Sequence, residues 1–137
     1  MSSGPRVLIV EDSSSMRHLL AESIARYPEA VIDEAADGLS AVIAIQRNAS
    51  PPYDLILLDV NMPVIDGGKL LAKLRAQPAF SKTRVCIVTS DPHQATEDEM
   101  RALGADVYLR KPITRSDLEA AVTQLLGPPK SPTAPVD

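Results

Sequence analysis

A chain of 137 residues, 45% of them hydrophobic, is one domain's worth of sequence: it can bury roughly two-thirds of the surface its unfolded chain exposes, and it has no room for two domains. A formal net charge of −4 without any lysine or arginine run argues against a nucleic-acid surface, which needs a clustered basic footprint to release counterions. A single cysteine, Cys86, excludes a disulfide framework, points to a reducing compartment and is assigned to core packing rather than to a reactive thiol.

From the N-terminus, "MSSGPR" has no apolar stretch behind a basic start, and no run in the chain approaches the roughly 20 apolar residues of a membrane helix. A cytoplasmic location without membrane contact is therefore expected. The first strand is "RVLIV" (6–10), followed by Glu11 and Asp12. Ser13 to Ser15 offer N-caps, and Met16, Leu19, Leu20, Ile24 and Tyr27 fall at helical spacing. A second strand, "AVIDEA" (30–35), leads to a helix over 38–49 with Leu39, Val42 and Ile45 on one face. The third strand, "DLILLD" (54–59), ends on Asp59 and continues into "VNMPVIDGG", whose Pro63 and Gly67 suit a turn. A helix over 67–77 carries Leu70, Leu71 and Leu74. The fourth strand is "RVCIVTS" (84–90), with a short acidic helix over 95–103 after it. The fifth strand is "DVYLR" (106–110). The last helix, from about Ser116, shows Leu118, Ala121, Val122 and Leu125 and stops at Gly127.

The first, third and fourth strands are unbroken aliphatic runs, as parallel strands covered on both faces should be, whereas the second and fifth alternate and belong nearer the edges. Strands alternating with helices of this length give an α/β fold with a parallel sheet and helices on both faces. The tail "GPPKSPTAPVD" (127–137) holds four prolines in eleven residues and predicts an extended or disordered segment, either a solvated terminus or a linker toward an output domain.

In such sheets ligands bind beyond the carboxyl ends of the strands. The polar residues there are Glu11, Asp12, Asp59, Thr89, Ser90 and Lys111. Carboxylates brought together repel by about 1 kcal/mol per pair at 4 Å even in bulk water, so the set calls for a cation. Oxygen ligands with no histidine or thiolate suit a hard ion, and few carboxylates with open positions suit Mg2+, with Mn2+ as a substitute. Lys111 adds a point charge and Thr89 a hydroxyl donor, both expected to aim at the same place. A phosphoryl group on Asp59 would use them all, with Asp59 as nucleophile and Glu11 and Asp12 holding the metal. His18 and His93 have no second ligand at metal spacing and read as solvated. Gly38 and Gly67 each follow an aspartate and read as turns and helix starts; no GxxxxGK[ST] or GxGxxG suggests a nucleotide.

The four segments "VEDSSSMR", "LILLDVNMPVIDG", "VTSD" and "YLRKPI", in this order and spacing, resemble the receiver domain of two-component response regulators. The resemblance covers about residues 5–126, leaving 127–137 as the Pro-rich tail, and is closest to single-domain, chemotaxis-type receivers. It implies a flavodoxin-like (βα)5 three-layer sandwich with a five-stranded parallel sheet of order 2-1-3-4-5. It also implies that Asp59 takes a phosphoryl group from a sensor histidine kinase or a histidine phosphotransfer protein, the chain catalysing only its own phosphorylation and dephosphorylation. Glu11 and Asp12 match the family's acidic pair, and the backbone carbonyl of Asn61 joins Asp59 as a metal ligand. Thr89 matches the switch hydroxyl, Tyr108 the switch aromatic and Lys111 the phosphate-pairing lysine, and the Lys111–Pro112 bond is expected to be cis. Asn61 and Asp91 match positions that tune phosphoryl lifetime.

On phosphorylation Thr89 is expected to move toward the phosphoryl group while Tyr108 turns inward, a population shift that remodels the face of the fourth helix, fifth strand and fifth helix. A downstream protein would read that face, for which Asp98, Glu99, Met100, Arg101, Tyr108 and Asp117 are the candidates, and a phosphorylation-dependent homodimer is compatible with it. The competing readings are a haloacid-dehalogenase-like phosphatase and a phosphorylation-independent scaffold on the same fold. The phosphatase would place D-x-D after the first strand. Here the candidate nucleophile follows the third, and the position two residues later is Asn61.

Overall fold

Uninterrupted valine, isoleucine and leucine build the centre of the sheet, because such residues fit a pleated surface covered on both faces. In the computed structural model, which describes residues 4–48, 51–61, 67–91, 93 and 95–129, the elements run β1 (Arg6–Val10), α1 (Ser14–Glu22), β2 (Val31–Ala35), α2 (Gly38–Arg47), β3 (Leu55–Asp59), α3 (Gly67–Arg75), a 3-10 turn (Pro78–Phe80), β4 (Arg84–Thr89), α4 (Glu97–Ala102), β5 (Val107–Arg110) and α5 (Arg115–Leu126). All strand pairs are parallel, in the order β2-β1-β3-β4-β5. The two alternating strands are thus the edges, as expected, and the architecture is the flavodoxin-like sandwich.

The period of two along each strand sorts side chains onto two cores. Val7, Ile9, Leu55, Leu57, Cys86 and Val88 pack with Leu20, Ile24, Leu118 and Val122 under α1 and α5. Leu8, Val10, Ile56, Leu58, Val85 and Ile87 pack with Ala41, Ile45, Leu71, Leu74 and Met100 under α2, α3 and α4. Four helices begin on a side-chain cap: Ser13 Oγ accepts from Met16 N–H, Asp37 from Ser40, Thr96 from Glu99 and Thr114 from Asp117.

Two local features depart from the periodicity. The α1 helix ends at Glu22 rather than running to Tyr27, although Ile24 and Tyr27 are buried as their spacing implied. Ser23 donates its hydroxyl to Leu20 O at 2.6 Å, and the bonds Ile24 N–H to Ala21 O, Ala25 N–H to Glu22 O and Tyr27 N–H to Ile24 O reach back three residues, not four. A short polar side chain competing for the carbonyls has tightened the last turns without changing which face is apolar. The 3-10 turn at Pro78 has no counterpart in the sequence reading; it drops the fully buried Phe80 into the core below α3.

Cys86 is fully buried, and burial, aided by the charge of Asp106, pushes its thiol up to about 12. Native protein should therefore resist a thiol-disulfide exchange reagent and react only after denaturant is added; stoichiometric labelling of the folded protein would contradict the packing role. Gly67 opens α3 against the end of β3. A β-carbon there would stand 2.7 Å from both Cα and Cγ1 of Val60, so its role is close approach of two backbones, beyond the turn formation read from sequence. Gly67→Ala should cost roughly 1–3 kcal/mol by overpacking, measured by urea denaturation, and an unchanged midpoint would refute the contact. Pro63 and the tail residues 130–137 lie outside the described residues. Gly127 closes α5 with φ +82, a left-handed conformation that favours glycine.

Candidate functional site

Sheet register brings the strand-end residues together. Val10 pairs with Ala35 on one side and Leu58 on the other, Asp59 pairs with Val88, and Thr89 with Arg110. Backbone bonds continue past the strand ends: Glu11 N–H to Ala35 O at 3.0 Å, Val60 N–H to Val88 O at 3.2 Å and Lys111 N–H to Thr89 O at 2.7 Å. Glu11, Asp59, Thr89 and Lys111 are thereby carried on ladder-bonded backbone, which holds functional groups more closely than free loops do.

One carboxylate oxygen from each of Glu11, Asp12 and Asp59 lies within 4.8 Å of the others. Glu11 is buried, Asp59 nearly so at 3% exposure, and Asp12 is open to solvent. The Lys111 ammonium stands 3.0 Å from Glu11 Oε1 and 3.6 Å from Asp59 Oδ2. Ser13 N–H donates to the other Glu11 oxygen at 3.1 Å. Burial pushes the Glu11 carboxyl above its ordinary range and the Asp59 charge adds to that, while the Lys111 and Ser13 hydrogen bonds pull it back. One ammonium facing three carboxylates leaves two negative charges uncompensated when all are ionised. A hard divalent cation such as Mg2+ or Mn2+ fits this all-oxygen donor set, since it supplies the missing charge and tolerates water in its open positions.

Asn61 connects the carboxylates to β4. Its N–H donates to Asp59 Oδ1 at 2.9 Å. Its side-chain oxygen accepts from the Thr89 hydroxyl, from Ser90 N–H at 2.7 Å and from Asp91 N–H at 3.2 Å, with the Ser90 hydroxyl at 3.4 Å. The sequence led us to expect the Thr89 hydroxyl to point at the same place as Lys111; in the structure it is engaged by Asn61. Tyr108 is half-buried against the core under α4, and its hydroxyl donates to Ala95 O just before that helix. The Lys111–Pro112 bond is cis.

Two contributions escaped the sequence reading. One is the Asn61 side chain, whose position beside Asp59 was visible but whose partners were not. The other is Arg17, which donates from α1 to the carbonyls of Glu11 at 2.9 Å and Asp12 at 3.3 Å while pairing with Glu34 at 3.1 Å. Its only sequence signal is a basic residue one turn into the helix that follows the acidic pair. Among the proposed partner-facing residues, Asp98, Glu99, Arg101 and Asp117 are exposed, but Met100 is buried at 6% exposure and belongs to the core; a polar run around it hid the inward phase of that short helix. His18 is exposed and lies 3.5 Å from Glu22 on its own helix, and His93 is exposed. Among the described residues no helix is long and apolar enough to cross a membrane.

Over residues 7–123 the chain matches the family model of the response regulator receiver domain. It is 39% identical over 136 residues to the transcriptional regulatory protein TcrA of Mycobacterium tuberculosis, a match covering 96% of this chain and 51% of TcrA, so the chain spans about half the length of that relative. Among solved structures, the chemotaxis response regulator CheY4 of Vibrio cholerae is 28% identical with a TM-score of 0.78, covering 90% of this chain and 99% of the other. The receiver domain of sensor histidine kinase PA1611 from Pseudomonas aeruginosa PAO1, 26% identical with a TM-score of 0.76 and covering 91% and 99% of the two chains, has a magnesium ion coordinated in its active site cleft.

Proposed function

This chain belongs to the response regulator receiver domains of two-component signalling systems, and from that premise we propose that Asp59 is its phosphoacceptor. The observation that carries the reading is a nearly buried carboxylate at the end of a central strand, within 4.8 Å of two further carboxylates and 3.6 Å from a lysine ammonium. An Asp59 oxygen forms the new P–O bond as the bond from phosphorus to the donor breaks, the P–N bond of a phosphohistidine or the P–O bond of an acyl phosphate. Glu11, Asp12, Asp59 and the Asn61 carbonyl would hold Mg2+, which supplies positive charge to the phosphoryl oxygens. Lys111 supplies a further charge, and Thr89 supplies a hydroxyl once it leaves Asn61.

The donor is a sensor histidine kinase or a histidine phosphotransfer protein. The output passes through Thr89, Tyr108 and Lys111 to the face of α4, β5 and α5, where a downstream protein or a second phosphorylated copy binds. Residues 5–126 form the receiver and 127–137 a proline-rich tail. An unpartnered, buried Cys86 supports a cytoplasmic setting. The chemistry is confined to the chain's own Asp59. A phosphatase of the haloacid-dehalogenase type would need a carboxylate two residues after the nucleophile as acid and base, whereas Asn61 fills that position with an amide already bonded to the β4–α4 segment.

The test is incubation with acetyl phosphate and Mg2+ followed by intact mass. An adduct of one phosphoryl group per chain is expected. Rapid turnover of unrelated phosphate esters would favour the phosphatase, and no adduct with any donor, cognate kinases included, would leave the scaffold.

A further inference from the structure

A hydroxyl carries one proton and can direct it to one strong acceptor at a time. The Thr89 proton is directed at Asn61, whose amide orientation is fixed because two backbone N–H groups and the Thr89 and Ser90 hydroxyls converge on a single atom and only the oxygen can accept from the N–H groups. Thr89 is fully buried, so a hydroxyl released from Asn61 has no water to turn to and must find another protein partner or an oxyanion on Asp59. The backbone N–H of Asn61 holds Asp59 Oδ1 at 2.9 Å. One residue therefore grips both the acceptor and the hydroxyl that is to answer it.

We infer that the Asn61 side chain is a latch that holds Thr89 and the start of the β4–α4 segment in the unphosphorylated arrangement, in competition with an oxyanion on Asp59. The inference rests on the phosphoacceptor reading and deepens it. It assigns to the amide a role distinct from any metal contact by the Asn61 carbonyl, because the amide acts on the resting state before any donor arrives. Ser90 and Asp91 N–H sit at exposed residues and can be rehydrated when the latch opens, so the Thr89 hydroxyl carries most of the state dependence.

Beryllofluoride with Mg2+, a stable stand-in for the phosphoryl group, provides the probe, with affinity measured by calorimetry. Asn61→Ala should bind it roughly three- to tenfold more tightly than wild type, the worth of one net hydrogen bond, with the gain read relative to each protein's own affinity for Mg2+ alone. In a Thr89→Ala background the Asn61 substitution should change affinity by less than about twofold, since the two residues share one interaction. In the metal-free protein, the Thr89 methyl resonance of Asn61→Ala should move part of the way toward its beryllofluoride-bound position. Isosteric Asn61→Leu serves the same comparison if the alanine variant does not fold. An equal gain in the Thr89→Ala background, a gain accounted for by Mg2+ alone, or an unmoved Thr89 methyl would overturn the latch. Failure of wild type to bind beryllofluoride would overturn the phosphoacceptor reading and the latch with it, whereas wild-type binding without the Asn61 effect removes only the latch.

Discussion

Asp59→Asn should take no phosphoryl group from acetyl phosphate in Mg2+ under conditions that label wild type fully, and intact mass reads the difference directly. The amide keeps the shape of the side chain and the Asn61 N–H can still donate to its oxygen, so the loss isolates nucleophilicity from folding. A second expectation goes the other way. With three carboxylate oxygens within 4.8 Å and one ammonium among them, neutralising Asp59 removes like-charge repulsion of about 1 kcal/mol per pair at 4 Å in water. The lost attraction to Lys111 at 3.6 Å offsets part of it. The variant should thus be more stable than wild type in metal-free buffer, by about 1 kcal/mol, or roughly 3–6 °C in Tm for a domain of this size. Adding Mg2+ should narrow or reverse the gap, because a ligand at tenfold its Kd stabilises wild type by about 1.4 kcal/mol and has one carboxylate fewer to bind in the variant. An adduct on the variant would move the acceptor elsewhere. A variant less stable than wild type without metal would show that Asp59 is held as a favourable ion pair instead of as one charge too many.

How much of this was legible in the sequence depends on the length scale of the interaction. Strand identity was, because Leu55 to Leu58 bury on both faces and the unbroken run says so; edge placement of β2 followed from its alternation. The meeting of Glu11, Asp59, Thr89 and Lys111 was legible too, since a parallel sheet delivers every strand's carboxyl end to one rim. What period and motif could not supply was competition between neighbours. Ser23 tightens the end of α1 by taking the Leu20 carbonyl, a choice invisible in the apolar spacing of Ile24 and Tyr27. Met100 turns inward on a helix too short for its period to be read. Thr89 reaches the right rim, but the chain order does not say that its hydroxyl is taken by Asn61. Residue placement follows from topology, whereas hydrogen-bond partners follow from ångström-scale geometry.

The same distinction decides what Lys111→Ala should do. Lys111 leaves β5 with its backbone bonded to Thr89 O at 2.7 Å, three residues after Tyr108, and its ammonium lies between Glu11 and Asp59. A charge arriving on Asp59 should therefore pull on β5 through this side chain. Without it the carboxylates still gather, so the variant should bind Mg2+ at least as tightly as wild type: a competing cation has gone and the negative charge is less compensated. It should also accept a phosphoryl group from acetyl phosphate, more slowly for want of one stabilising charge. The response should be lost. Amide resonances over Glu97–Ala102 and the ring of Tyr108, which should shift in wild type on adding beryllofluoride and Mg2+, should stay near their resting positions in the variant while those beside Asp59 still move. Full retention of the α4 and Tyr108 shifts would take the coupling away from Lys111 and leave Thr89 as its carrier. Loss of Mg2+ binding would mean instead that the ammonium is needed to hold Glu11, buried and bonded otherwise to Ser13 N–H, in its charged and ligating form.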